Sequence, residues 1–216
     1  MRSRQAQQNP LKVRQQIKAQ IQYMLAPGSS WQHPFFNILA NFPAPRRAQT
    51  TNVKEVNIQF QNKDSVVNFK CIQIMGGTGS GNRTGNQFLK IPGAGEAQYL
   101  GLTERYLYIQ CQIPRTTQSA NSLVVEVCLD DNSIRKFIFG SLYNTPKTSG
   151  NQISLPFPIR GGTWTQICLD LRGLCDYFFV HKEKQFGFKE LVSITLFSPI
   201  TVKSIFTSDK RYKIEV

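Results

Sequence analysis

The sequence predicts an all-β fold, a jelly-roll-like antiparallel β-sandwich with one short helix, preceded by an N-terminal helical arm. Three observations predict it. From Val56 onward, short runs alternate apolar and polar residues, the period of a half-buried strand. Clusters of Gly, Pro, Asn, Asp and Ser separate them about every 8–12 residues, the spacing of sandwich turns. Hydrophobic residues make up 40% of the 216 residues, with 15 phenylalanines, enough apolar area for a packed core.

Residues 1–10 are polar and Gln-rich and read as disordered. Between Leu11 and Leu25, Val13, Ile17, Ile21, Met24 and Leu25 fall on one helical face. Pro10 suits a first turn and Pro27-Gly28 stops the helix. Lys12, Arg14 and Lys18 lie on the opposite face. Residues 1–30 are therefore a basic arm with an amphipathic helix. Its few aromatics favour docking on protein over membrane.

The sandwich domain spans 31–216 and opens at Trp31-Gln32-His33-Pro34-Phe35-Phe36. Pro43-Ala44-Pro45-Arg46-Arg47 is a stiff, positive linker. Strands are expected around Val56, Ile58 and Phe60, at Ile72 and Ile74, and in the run Asn86 to Pro92. Tyr106 to Ile113 is a strong strand stopped by Pro114. Leu123–Leu129 and Ile134–Phe139 flank Asp130-Asp131-Asn132-Ser133, a hairpin turn. Ile153 to Pro158, bounded by prolines, reads as an edge strand. Trp164 to Leu171 alternates, with Trp164 expected in the core, and Leu174 to Phe179 reads as the short helix. Leu191–Phe197 and Val202–Thr207 close the domain.

The stretch Gly76-Gly77-Thr78-Gly79-Ser80-Gly81-Asn82-Arg83-Thr84-Gly85 raises the question of a phosphate-binding loop. Gly76 and Gly81 have P-loop spacing, but Asn82 and Arg83 follow, so the phosphate lysine is missing. GxGxxG fails at Asn82 and at Thr84. The next element reads as a strand, not the helix whose N-terminal amides a phosphate requires. A surface loop in a long hairpin connection is the expected role.

The net charge is +13, unevenly placed. Residues 1–54 hold eight basic residues and no Asp or Glu; the remaining 18 basic and 13 acidic residues leave +5. A basic arm on a modestly basic body points to an acidic partner. No apolar h-region or membrane-length stretch is found, and no membrane association is expected. Cys71, Cys111, Cys128, Cys168 and Cys175 form no CxxC pair and read as buried reduced thiols. With only His33 and His181, neither a metal site nor a catalytic constellation is nominated. Adjacent Asp130 and Asp131 read as turn caps. The expectation is a non-enzymatic protein without cofactor or small-molecule substrate.

Several blocks carry a family resemblance. Trp31-Gln32-His33-Pro34-Phe35-Phe36-Asn37-Ile38 is similar to the opening of the N-terminal domain of a centriolar WD-repeat protein that binds microtubule walls. Leu89-Lys90-Ile91-Pro92 and Tyr99 to Tyr108 continue the match. Asp130 to Phe137, Gly162 to Ile167 and Ile205 to Tyr212 resemble the wider family of cilia- and flagella-associated protein 20. The resemblance covers roughly residues 31–213; the arm and the glycine stretch depart from the family pattern. It implies a jelly-roll-like sandwich on the doublet or triplet microtubule wall, at or near the inner junction between A- and B-tubules. The home is then an axoneme or a centriole or basal body, and the partners are α/β-tubulin and other microtubule inner or junction proteins.

Under that reading the candidate tubulin contacts are Arg46 and Arg47 in the linker, Arg135 and Lys136 after a turn, and Lys210 and Arg211 at the end of the final strand. Lys12, Arg14 and Lys18 form the partner-docking arm. Two rivals share the sandwich architecture. A carbohydrate-binding module needs an exposed aromatic platform. A nucleic-acid-binding module is permitted by charge but lacks an RNP-like motif or recognition helix.

Overall fold

Alternation becomes twelve strands and two helices among the residues described by the computed structural model: 35–42, 53–62, 65–75, 87–93, 99–115, 121–157, 159, 161–179 and 186–212. The arm helix, the linker arginines, the glycine stretch and both histidines lie outside them. In chain order the elements are β1 (Phe36–Asn37), α1 (Ile38–Asn41), β2 (Val53–Asn62), β3 (Ser65–Ile74), β4 (Phe88–Ile91), β5 (Tyr106–Gln112) and β6 (Ser122–Leu129). Then come β7 (Ile134–Gly140), β8 (Lys147–Ser149), β9 (Gln152–Pro156), β10 (Trp164–Asp170), α2 (Leu171–Phe179), β11 (Phe188–Phe197) and β12 (Ile200–Ser208).

The strands form two six-stranded sheets. The first has the order β10-β5-β12-β3-β2, with β1 also paired to β12; the second runs β4-β11-β6-β7-β9-β8. One face of each strand feeds a shared core. Leu107, Ile109 and Cys111 of β5 and Ile205 of β12 meet Leu123, Val125, Val127 and Leu129 of β6, Phe137 of β7, and Leu191, Ile194 and Leu196 of β11. Each fully buried Leu, Ile or Phe side chain contributes about 1.5–3 kcal/mol, which makes this seam the main source of stability.

The Asp130-Asp131-Asn132-Ser133 turn forms as the sequence predicts. The Leu129 N–H donates to the Ser133 carbonyl at 3.0 Å, and Asn132 has φ 64°, a left-handed conformation asparagine tolerates. Asp131 Oδ1 accepts from the Ser133 N–H at 2.9 Å, and Asp130 Oδ2 from the Gly187 N–H at 3.0 Å. Both aspartates cap backbone. Four cysteines are buried and Cys168 is half-buried, all as free thiols. Burial pushes the Cys111 and Cys175 thiols up to about 12.

Four expectations are corrected. The glycine stretch does not close a hairpin, because β3 belongs to the first sheet and β4 to the second, so the chain crosses between layers there. β9 is not an edge strand. It lies between β7, in parallel register, and the short edge strand β8. Pro156 occupies the last position of β9, where only a terminal donor is lost. Trp164 is half-buried and opposes Gln112 rather than entering the core. The short helix begins at Leu171, three residues before the expected start, because the Asp170 Oδ1 accepts from the Gly173 N–H at 2.9 Å and so caps its first turn.

Not all buried bulk is in the core. Tyr108 is fully buried yet lies on the outward face of the first sheet, alternating with Leu107 and Ile109. Its ring stacks on Phe206 at 4.8 Å, with Tyr212 tilted against it at 5.8 Å. The Tyr212 N–H donates to the Tyr108 hydroxyl at 2.7 Å. Burial raises that hydroxyl to about 12.

Candidate functional site

The two ends of the sandwich have different chemistry. At one, β6, β10 and β12 end, β5, β7, β9 and β11 begin, and α2 crosses from the first sheet to the second. Phe178 and Phe179 pack on Phe137 with ring centroids at 6.3 and 5.5 Å. Arg105 grips Asp170 through both oxygens, Nε to Oδ1 at 2.9 Å and Nη2 to Oδ2 at 2.6 Å. The Arg105 hydrogen bond, against the effect of burial and with help from the Gly173 N–H, holds the Asp170 carboxyl below its ordinary range; Arg211 adds to this.

The sequence-predicted contacts separate. Arg46, Arg47, Lys12, Arg14 and Lys18 lie outside the described residues. Arg135 and Lys136 do not make one patch, because neighbours on a strand face opposite ways. Arg135 shares the face of buried Phe137; its guanidinium lies 5.3 Å from the Phe179 ring and donates to Asn151 Oδ1. Lys136 is on the outward face, 2.8 Å from Glu126. Lys210 and Arg211 are exposed together past the end of β12, on the end that carries Asp170.

The outward face of the second sheet brings together residues that sequence reasoning missed. Cross-strand register aligns Lys90, Thr195, Val124, Ile138, Ser154 and Lys147 in one row. Five inter-strand steps of about 4.8 Å make it about 24 Å wide. The adjacent row contains Ser193, Glu126, Lys136 and Gln152. Glu126 is the central carboxylate. It accepts from the Ser193 hydroxyl at 2.6 Å and has Lys136 at 2.8 Å and Lys90 at 3.7 Å. Burial pushes its carboxyl up, but Lys136, Ser193 and Lys90 together outweigh this and hold it below the ordinary range. Lys90 and Lys136 flank Glu126, Lys147 ends the row three strands away, and Glu190 stands opposite Cys128 on the same face, so three lysines against two carboxylates leave it with a small positive excess. The β4 alternation marks Lys90 as outward, but no sequence pattern states that it shares a row with Lys147.

Among the described residues, no group of three or more His, Cys, Asp or Glu side chains is arranged to hold a metal ion. No described helix is long and apolar enough to cross a membrane.

Comparison with known proteins bears on this geometry. The CFA20 domain pattern matches residues 27–215. Centriole proteome protein 16 of Chlamydomonas reinhardtii is 29% identical over 195 residues, which cover 88% of this chain and 8% of that protein. WD repeat-containing protein 90 of Mus musculus is 25% identical over 197 residues, covering 85% of this chain and 10% of that protein. The chain thus spans a tenth or less of the length of these curated relatives. A solved exo-beta-agarase structure superposes with a TM-score of 0.42 at 8% identity, over 84% of this chain and 26% of that one.

Proposed function

This chain belongs to the CFA20 domain family, and from that membership we propose that it is a non-enzymatic structural protein of the centriole or cilium that seats on the microtubule wall. Its place there is at or near the inner junction of doublet or triplet microtubules, with α/β-tubulin and other junction proteins as partners. The observation that carries the reading is the lysine row on the outward face of the second sheet. A broad, shallow, positive face fits an acidic protein lattice better than it fits a small molecule, which needs a deep concavity. Electrostatic attraction raises the encounter rate and is screened by salt, while seating depends on shape.

The test is co-sedimentation with stabilised microtubules and with doublet preparations across a salt series. The intact chain is expected to pellet, less so as salt rises, and more on doublets than on single microtubules. The double variant Lys90→Glu, Lys147→Glu is expected to bind about tenfold more weakly, as two rim charges of up to about 1 kcal/mol each, reversed, would give. Unchanged pelleting of that variant would remove this face from the contact. A wild-type chain that pellets with neither preparation would reject the wall-binding reading.

A further inference from the structure

At the end of the sandwich opposite α2 there is a cleft of about 170 Å³, lined by Ile113, Pro114, Arg115, Asn121, Phe157 and Ile159 together with Ser141 and Gly161. Its residues come from the end of β5, the start of β6 and the segments after β7 and β9, so it opens between the two sheets.

Three independent features make it a built site. Asn121 is only 5% exposed, and its Oδ1 has no hydrogen-bond partner among the described residues. Its backbone is fixed, with the N–H donating to Ser141 Oγ at 3.2 Å and the carbonyl accepting from the Ser141 N–H at 3.1 Å. A buried acceptor left without a donor is costly, and a ligand donor would relieve it. The second feature is Arg115, exposed and packed across two glycines. A Cβ on Gly162 would lie 2.2 Å from Arg115 Cγ, and one on Gly161 would lie 3.0 Å from the Pro114 carbonyl oxygen. The glycines therefore allow the arginine to lie where it does. The third is charge. Residues 105–125 and 137–169, which supply the whole lining, contain no Asp or Glu. None of the described ion pairs includes Arg115.

We propose that this cleft binds an acidic peptide, with one carboxylate on Arg115 and a backbone N–H on Asn121 Oδ1. The requirements select the class. The guanidinium demands an anion, and the orphan amide oxygen demands a donor. A simple carboxylate ion offers no donor, a neutral sugar offers no charge, and hydrogen phosphate, which offers both an O–H and a charge, has no apolar part to cover Ile113, Phe157 and Ile159. A glutamate or aspartate residue within a peptide offers both, and its methylene stem fits the apolar wall of Ile113, Phe157 and Ile159. The volume is below the about 300–1,000 Å³ of common ligand pockets, which suits an anchor for one or two residues.

The experiment is fluorescence anisotropy on the full chain with a labelled, end-capped hexaglutamate peptide and a hexaglutamine control. The glutamate peptide is expected to bind, and Arg115→Glu to weaken it by about tenfold or more, the loss of a charge-assisted hydrogen bond. Lys54→Glu makes the same charge change on exposed residue 54 of β2, at the far edge of the first sheet, and is expected to leave the affinity within about twofold, the effect of a distant screened charge. A hexaglutamate with N-methylated amides is expected to bind more weakly than its parent. The proposal is overturned if Arg115→Glu and Lys54→Glu weaken binding equally, since the peptide would then read net charge alone. It is equally overturned if the glutamate peptide binds no better than the glutamine control. No tubulin is present, so either result leaves the wall-binding reading to its own test.

Discussion

At the α2 end of the sandwich Arg105 closes on Asp170, Asp170 caps the helix, Arg135 rests on Phe179, and Asp130 and Asp131 cap backbone amides. At the opposite end Arg115 lies over Gly161 and Gly162, and Asn121 keeps a buried oxygen without a donor. The same two sheets thus finish in one end where charged groups pair with one another or cap backbone, although Ser133 Oγ and Arg135 Nε find no partner there among the described residues, and one where an arginine beside a cleft enters none of the described ion pairs. Internal satisfaction spends charge on rigidity, whereas unmet valence beside a concavity is what recognition requires.

The comparison can be broken most forcefully at the packed end. Phe137→Ala removes a fully buried ring that holds Phe178 and Phe179. It is expected to cost about 3–5 kcal/mol, read as a lower denaturation midpoint, and a loss under about 1 kcal/mol would mean that α2 contributes little to the fold. Gly162→Ala comes next. Its φ of +85° and the overlap with Arg115 should cost about 2 kcal/mol, and it should also displace Arg115 and weaken the glutamate peptide. Full stability in a Gly162→Ala chain would show that the arginine's seat is not built by these glycines.

A smaller effect belongs to Asp170. Removing it as Asp170→Ala loses a cap and a partly exposed ion pair, about 1–2 kcal/mol together. Its carboxyl is held below the ordinary range in the fold. Its contribution is therefore present at neutral pH and lost as pH falls below about 3.9, the unfolded value, through the lower folded one. Asp170→Asn keeps a capping oxygen but does not titrate, so its stability should fall less than wild type over that acid window; parallel acid curves would deny the Arg105 pair a role. Smallest of all is Arg115→Gln, expected to change stability by less than about 0.5 kcal/mol while reducing peptide binding. A large stability loss there would recast Arg115 as structural and erase the contrast between the ends.

Much of this architecture was legible in the residues. The run Tyr106 to Ile113, the Asp130–Ser133 turn and the helix ahead of Phe179 each rest on local chemistry: period-two alternation, left-handed tolerance at Asn132, and apolar spacing. The blocks from Leu89 and from Asp130 also anticipated the family. Partner choice was not legible. β3 and β4 looked like arms of one hairpin, and the prolines around β9 looked like an edge, because neither reading could know which strands from elsewhere in the chain would lie alongside.

The candidate surfaces divide the same way. Strand alternation alone puts Arg135 and Lys136 on opposite faces. The Glu126–Lys136 pair follows from the register of the hairpin that the Asp130–Ser133 turn closes, but nothing local told that Lys90 and Lys147 would end one row. Arg115, Asn121 and Gly161 are scattered along the chain and adopt no motif; they meet only where both sheets end. Strand content, turns, charge and family follow from short-range chemistry, which each residue carries with it. Sheet order, the lysine row and the cleft follow from long-range pairing, whose register is set by burying one face of every strand against the rest of the molecule.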